Sequence, residues 1–352
     1  MKKEFIIGKR KIGDNQPVYI IAEMSANHNQ DFEQAVKIIH AAKEAGADAI
    51  KIQTYTADTI TIDCANEYFQ IGKGTIWKGQ ILYNLYKEAY TPWKWQPALK
   101  EIANSIDLDF FSSPFDHTAV DFLEKMDVPA YKIASPELVD IPLIQYIAST
   151  GKPMIISTGM ATLPEIDEAV SAARKAGAKQ IVLLKCTSAY PALPEEMNLR
   201  TIPHLAQTFQ LPVGLSDHTL CLAVPVTAVA LGACIVEKHF TLSRSNSGPD
   251  SSFSLEPHEF KQMVQAIRTT QKALGTVSYT FTKHEAASRV FRRSIFAVKD
   301  IKKDERFTTK NIRSIRPANG LKPKYIDEIV GRKARTGIKK GTPLNWDLIA
   351  AR

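Results

Sequence analysis

The sequence predicts an α/β protein: a (β/α)8 TIM barrel followed by a small, mostly β module. Three observations carry this prediction. Eight short apolar, β-branched runs alternate with helical stretches, and each run ends in polar residues on its C-terminal side. Near residue 280 the alternation stops, and a short internal repeat follows. The chain divides accordingly into a barrel over 1–280, a linker over 281–290 and the small module over 291–352.

The strands, in order, are VYIIAE from Val18, DAIKIQ from Asp48, LDFFSS from Leu108 and AYKIAS from Ala130, then PMIIST from Pro153, IVLLKC from Ile181, PVGLSD from Pro212 and CIVEKHF from Cys234. Strand and helix in strict alternation require parallel pairing through right-handed crossovers. About eight such units over ~250 residues match the count and size of a (β/α)8 barrel. An open doubly wound sheet is the alternative, but no GxGxxG follows the first strand. Of the helices, FEQAVKIIHAAKEAG is apolar at Ala35, Ile38, Ile39 and Ala42, an i, i+3, i+4, i+7 stripe, and stops at Gly46. LPEIDEAVSAARKAG repeats the design and stops at Gly177. The stretch between Tyr55 and Thr91, rich in aromatics and glycine, is too long for an ordinary βα connection and reads as a lid or substrate-contacting insertion.

Past Leu274, GTVSYTFTKHEAAS reads as a linker. Beyond it DIKKDERFTTKNI from Asp300 and GIKKGTPLNWDLI from Gly337 align without a gap. Two copies of so short a unit make a compact module, marginal alone and expected to dock on a barrel.

Composition narrows the function classes. The chain has 352 residues, 44% of them apolar and 23% charged, which is ordinary for a globular protein. The longest apolar run, Leu222 to Val236, holds Pro225 and Gly232 and falls short of the ~18 residues of a membrane span. The N-terminal MKKEFIIGKRK has too short an apolar stretch for a signal peptide. Cys64, Cys186, Cys221 and Cys234 show no CxxC spacing, so a reduced, cytoplasmic setting is expected. The net charge of +8 is uneven: from Glu285 onward there are 18 Lys+Arg and 7 Asp+Glu, and before it 27 and 30. No base-stacking motif accompanies that basic tail, so a solvated or subunit-facing surface is expected rather than nucleic-acid binding.

The strand ends carry the chemistry. Glu23 closes the first, Lys51 and Gln53 the second, and Ser112 and Ser113 the third. Lys132 and Ser135 follow from the fourth, Ser157 and Thr158 from the fifth, and Lys185 and Thr187 from the sixth. Ser216 to His218 end the seventh, and Glu237 and His239 the eighth. A polar ring at the C-terminal ends is where barrel enzymes build active sites. Residues two apart share a face, so His218 and His239 on adjacent strands could bind one divalent cation, with positions left for water and substrate; the alternative is that each satisfies a local hydrogen bond. Lys51 and Lys132 inside the ring call for an anion such as a phosphate or carboxylate. A Schiff-base aldolase is the competing reading, with Lys185 as its best candidate.

Ordered along the chain, AEMSANHN (from Ala22), KIQT (Lys51), SSPFD (Ser112), YKIASPE (Tyr131), STGM (Ser157), CTSAYP (Cys186), GLSDHT (Gly214), EKHFT (Glu237), GPDSSFSLEP (Gly248) and RPANG (Arg316) resemble the sialic acid (N-acetylneuraminate) synthase family over nearly the whole length. The resemblance implies a barrel joined to an antifreeze-like (SAF) domain, and condensation of phosphoenolpyruvate with an N-acetylated amino sugar. It also implies a domain-swapped homodimer whose small domain covers the partner's active site. AEMSANHN, TIWKGQ and GPDSSFSLEP look most like the branch whose acceptor is 2,4-diacetamido-2,4,6-trideoxy-L-altrose. Met24 and Ser25, Lys185 and Ser188 stand where synthases using N-acetylmannosamine usually carry other residues. By resemblance, Lys51, Ser113, Lys132, Ser135, Ser157, Ser188 and Ser216 hold phosphoenolpyruvate, and His218 and His239 hold Mn²⁺, with Mg²⁺ or Co²⁺ as alternatives. Gln53, Tyr190, Asp250 and Arg316 contact the sugar, Arg316 from the partner subunit. Glu23 and Glu137, with Lys51 and Lys132, form the expected catalytic set.

Overall fold

A computed structural model describes residues 5–13, 15–72, 74–246 and 248–351, which form two compact units, one up to Gly275 and one from Thr276. The first unit opens with a hairpin that the sequence reading did not anticipate, β1 (Phe5–Ile7) and β2 (Arg10–Ile12). Arms of three residues are too short to show a period. Phe5, Ile7 and Ile12 are buried in one core cluster with Tyr19, Ile21 and Phe111, and Arg10 Nη1 reaches Asp109 Oδ1 at 2.9 Å. Tyr19 and Asp109 begin their strands, so the hairpin lies at the N-terminal end of the barrel. Its turn needs glycine: Gly8 has φ +56°, and a Cβ there would lie 2.9 Å from Asp109 Oδ1.

The eight expected strands all form: β3 (Tyr19–Glu23), β4 (Ala49–Thr54), β5 (Asp109–Pro114), β6 (Tyr131–Ile133), β7 (Met154–Ser157), β8 (Ile181–Cys186), β9 (Val213–Asp217) and β10 (Ile235–His239). They pair in parallel in chain order, and β10 pairs back onto β3, so the sheet is a closed barrel and not an open one. Alternation sorts the side chains. Ile20, Ala22, Ile50, Ile52, Phe110 and Val236 pack outward against Ala35, Ile38, Ile39 and Ala42, the stripe expected of helix Phe32–Glu44. The Asp31 carboxylate caps that helix by accepting from Glu33 N and Gln34 N at 2.9 and 3.3 Å, and Gly46 follows its end with φ +94°. The insertion after β4 contains two short helices, Ala57–Ile60 and Leu82–Ala89. Among the described residues, no helix is long and apolar enough to cross a membrane.

In the second unit, β11 (Ser294–Ala297) and β12 (Ile312–Ile315) pair antiparallel. The repeat read in the sequence has a structural counterpart. Ile301 and Ile338 exchange both backbone hydrogen bonds at 2.8 Å, and the matched positions Phe307 and Leu344, Ile312 and Ile349 are all buried in one core. Beyond β11 and β12 the module relies on isolated bridges and single turns rather than long strands. Before it, Thr276 to Arg293 is exposed throughout, and Lys283–Ser288 folds as a short helix where a linker was expected.

Candidate active site

The floor of the barrel mouth is a buried cluster of opposite charges. The Lys51 ammonium contacts the Glu23 carboxylate, donates to Ser113 Oγ at 3.3 Å and lies 3.6 Å from Glu237 Oε1. Lys132 Nζ donates to the same Glu237 oxygen at 3.0 Å, and Ser216 Oγ donates to it at 3.3 Å. Lys51 and Lys132 thus meet inside the ring, on Glu237. That glutamate was legible as a strand end but received no role, because only barrel closure brings β4, β6, β9 and β10 to one point. Burial pushes the Glu237 carboxyl up, but Lys132 and Lys51 outweigh it and hold the group below the usual carboxylate range. Glu23 goes the other way. Burial, helped by Glu237, leaves it at about 7 despite Lys51.

Neutral donors stand on the neighbouring strands. Ser157 Oγ, at the end of β7, is buried without a hydrogen-bond partner, as is Glu237 Oε2. Gly159 N donates to Ser135 Oγ at 3.1 Å. A Cβ at Gly159 would lie 2.2 Å from Ser188 Oγ and 2.6 Å from Ser135 Oγ, so glycine alone lets both hydroxyls approach. Two lysines, an unpartnered hydroxyl and a cradle that a methyl group would fill suit a small anion.

The histidines lie beside this floor, their ring centroids 5.4 Å apart. His218 Nδ1 lies 2.9 Å from the Thr187 carbonyl oxygen, a contact in which Nδ1 must donate, which leaves Nε2 of the neutral ring a free lone pair. His239 Nδ1 is buried without a partner, and burial, reinforced by His218 and the lysines, holds the ring neutral well below its usual pKa. Burial pushes the His218 ring down, but Cys186, whose Sγ lies 3.9 Å from Nδ1, outweighs it and raises the ring above its usual pKa. With the Nε2 proton released, the two imidazoles fit a divalent cation. Among the described residues no group of three or more His, Cys, Asp or Glu could hold one, so water and substrate oxygens would complete the shell.

A cavity of about 470 Å³ adjoins the histidines. Its lining is mixed: Ser25, Gln53, Glu137, Tyr190, His239 and Asp250 are polar, while Ile60, Ile71, Leu82 and Leu85 of the insertion, with Phe115, are apolar. Gln53 Nε2 donates to Ser25 Oγ at 3.0 Å and to Glu23 Oε1 at 3.3 Å, tying the cavity to the floor. Asp250 Oδ2 accepts from Ala26 N at 3.4 Å, and burial raises its carboxyl. Burial also lifts Glu137 to about 7, and its Oε2 has no partner. Tyr190 packs 4.3 Å from His218 and 5.0 Å from Phe253, ring to ring, and Trp77 lies 5.6 Å from Tyr190 while its indole donates to Pro249 O at 3.0 Å.

Trp77 and Phe253 were missed as site residues, since loop residues carry no period that aims them. The structure turns Lys185 aside: its ammonium donates to Cys186 O at 2.7 Å and Thr187 Oγ1 at 3.1 Å, and it does not line the cavity, so the aldolase reading loses its best candidate. Arg316 is on the second unit, exposed just beyond β12.

A closed (β/α)8 barrel with this C-terminal rim is an enzyme. The comparisons make it more particular. Residues 38–279 match the NeuB family and residues 292–350 the SAF domain, and the chain belongs to the NeuB family. It is 45% identical over 333 residues to the pseudaminic acid synthase of Helicobacter pylori, covering 94% of this chain and 98% of that one. To the pseudaminic acid synthase of Campylobacter jejuni subsp. jejuni serotype O:2 it is 46% identical, covering 94% and 96%. To the N,N'-diacetyllegionaminic acid synthase of Legionella pneumophila it is 38% identical, covering 98% of each. Among solved structures, the N-acetylneuraminic acid (sialic acid) synthetase of Leptospira borgpetersenii serovar Hardjo-bovis in complex with citrate superposes with TM-score 0.72 at 35% identity, covering 82% of this chain and 95% of that one.

Proposed function

We propose that the protein condenses phosphoenolpyruvate with 2,4-diacetamido-2,4,6-trideoxy-L-altrose, giving pseudaminic acid and phosphate, with a divalent metal. The mixed lining of the cavity carries this reading. Its polar residues connect through Gln53 and Glu23 to the lysine-rich floor, which suits an enol phosphate, and its apolar residues suit an acceptor that carries methyl groups. The altro configuration is supported by the higher identity to pseudaminic than to diacetyllegionaminic acid synthases.

His218 and His239 would hold the cation, Mn²⁺ in the first instance, which supplies Lewis-acid polarisation of the open-chain aldehyde. Lys51 and Lys132 neutralise the enol phosphate, whose binding draws them from the glutamates, while Ser113, Ser135, Ser157, Ser188 and Ser216 donate to its oxygens. Gln53, Tyr190 and Asp250 hold the acceptor against the methylene carbon, and this fixed approach of two substrates supplies much of the acceleration. The methylene carbon bonds to the aldehyde carbon; the C=O electron pair moves to the aldehyde oxygen, which takes a proton from protonated Glu137 or Glu23, and positive charge is left on the central carbon of phosphoenolpyruvate. Water adds there and returns a proton to that carboxylate, and the tetrahedral intermediate expels phosphate by C–O cleavage, its hydroxyl proton leaving with the phosphate as the ketone forms. Arg316 of a second copy reaches the acceptor in a domain-swapped homodimer, and the setting is cytoplasmic.

The test is phosphate release from phosphoenolpyruvate with Mn²⁺, with and without chelator, offering the altro sugar, its legionaminate-type stereoisomer and N-acetylmannosamine. Chelator-sensitive release with the altro sugar is expected. Release only with another acceptor overturns the substrate, and release with none overturns the condensation.

A further inference from the structure

Behind the two histidines, on the outward face of the barrel, sits an ion pair with no part in the chemistry above. Lys238 and Asp217 are paired across β9 and β10, each with a side chain 0% exposed, and Lys238 Nζ donates to Asp217 Oδ2 at 2.5 Å. The same ammonium donates to the Thr219 carbonyl and touches Thr219 Oγ1 at 3.5 Å. Asp217 Oδ1 in turn accepts from Thr219 N at 2.9 Å. One ammonium therefore gathers the residues on both sides of His218 and itself immediately precedes His239. Strand alternation turns Glu237 and His239 inward while Lys238 points outward.

A buried ion pair is poorly explained by stability, because well-packed apolar residues in its place are often as stable or more so. What this pair has that an apolar pair lacks is direction: three polar contacts tie Lys238, Asp217 and Thr219 together where the chain leaves the last rung of β9, at Asp217. We infer that Lys238 and Asp217 are positioning residues that hold the His218 and His239 imidazoles at the separation a shared divalent cation requires. The inference rests on the two-histidine metal reading. Neither residue touches cation or substrate; they set the backbone from which both ligands project. Outer supports of metal ligands typically govern 10–100-fold of metal affinity.

The experiment titrates Mn²⁺ into the full-length protein and follows the loss of the free-ion electron paramagnetic resonance signal, with denaturant midpoint and phosphoenolpyruvate affinity measured in parallel. Asp217→Asn/Lys238→Met removes both charges without stranding one. Its Mn²⁺ affinity is expected to fall about 10–100-fold, with phosphoenolpyruvate affinity in the absence of metal held within about threefold. Val236→Ala, outward on the same strand, is the control: it loosens the core yet should leave Mn²⁺ affinity unchanged. Should the double variant not fold, Thr219→Val, which keeps the ion pair and loses the Thr219 Oγ1 contacts to Asp217 and Lys238, is expected to show a smaller loss of the same kind. Equal Mn²⁺ affinity in wild type and in these variants overturns the inference, as does an equal loss in Val236→Ala. Failure of the wild type itself to bind Mn²⁺ overturns the metal reading and the inference with it, and that arm keeps the two failures distinct.

Discussion

Replacing Lys132 with methionine tests the charge cluster directly. In the wild type Glu237 Oε1 accepts from Lys132 at 3.0 Å and Ser216 at 3.3 Å, with Lys51 at 3.6 Å. Removing Lys132 leaves a buried carboxylate whose one remaining cation is already in contact with Glu23. Breaking a buried pair by deleting one partner costs about 3–5 kcal/mol. Since Lys51 and Ser216 remain, we expect the low end, about 3 kcal/mol at neutral pH. The pH dependence separates this cause from lost packing. Wild-type Glu237 is held below the usual carboxylate range, so its stabilisation is present above the unfolded pKa and disappears as pH falls through the folded one. Without Lys132, burial dominates and the carboxyl moves up. The deficit of Lys132→Met relative to wild type should therefore be full near pH 8 and shrink as pH falls, first through the raised pKa of the variant's carboxyl, whose protonation relieves the buried charge, and last through the depressed pKa of the wild type. Urea unfolding across that range measures it, and about 3 kcal/mol corresponds to a midpoint shift of about 1 M for a unit of this size. Adding Glu237→Gln should restore most of the loss at pH 8. A deficit that does not vary with pH, or a double variant no better than the single one, would refute the electrostatic account.

Glu137→Gln should raise stability at pH 8 by about 2 kcal/mol and change nothing near pH 4: burial puts the folded pKa at about 7, so wild type is favoured below the unfolded pKa and loses that advantage as pH rises through 7. A thermal scan at the two pH values checks this, and a variant destabilised at both contradicts it. Arg316→Ala should raise the acceptor KM about tenfold or more, with the phosphoenolpyruvate KM within about twofold and no change in melting temperature, since Arg316 is exposed. Equal rises in both KM values would remove Arg316 from the acceptor side.

How much of this was legible depended on whether a side chain's position follows from a period. The barrel strands and the stripe of Ala35, Ile38, Ile39 and Ala42 were legible because burial on one face imposes the pattern that the core then requires. His218 and His239 were legible as a pair because alternation carries to the strand end and strands seven and eight are neighbours. The β1–β2 hairpin was not, since its three-residue arms show no period. Trp77 and Phe253 reach the cavity from loops, where direction is set by tertiary contacts such as the Trp77 hydrogen bond to Pro249. Gly159 stood within a quoted motif, but its need for open space appears only once Ser135 and Ser188 converge on it.

The same distinction separates the two halves of the site. Lys51, Lys132, Ser216 and Glu237 project from strands hydrogen-bonded into the barrel, so their mutual distances are fixed by its register. A slip of one residue in β10 would exchange His239 for Lys238 and turn one of the two imidazoles into a cation facing Lys51 and Lys132. Chemistry that needs sub-ångström placement is thus built where the fold forbids drift. The apolar wall lies instead on the insertion between β4 and β5, outside the ladder, where Ile60, Ile71, Leu82 and Leu85 can change size without disturbing any rung. An apolar wall discriminates weakly: an added methylene or hydroxyl is worth about 10–200-fold in specificity. Discrimination between acceptors that differ only in configuration must therefore come from the polar lining, of which Gln53, Asp250 and Ser25 are part. Of these, Ser25 has φ +45° and accepts from Gln53, so its side chain, backbone and neighbour are constrained together. Under the proposed reaction, choice of configuration falls to Ser25, Gln53 and Asp250, from three different strand ends and loops, and selection by apolar contact falls to the insertion.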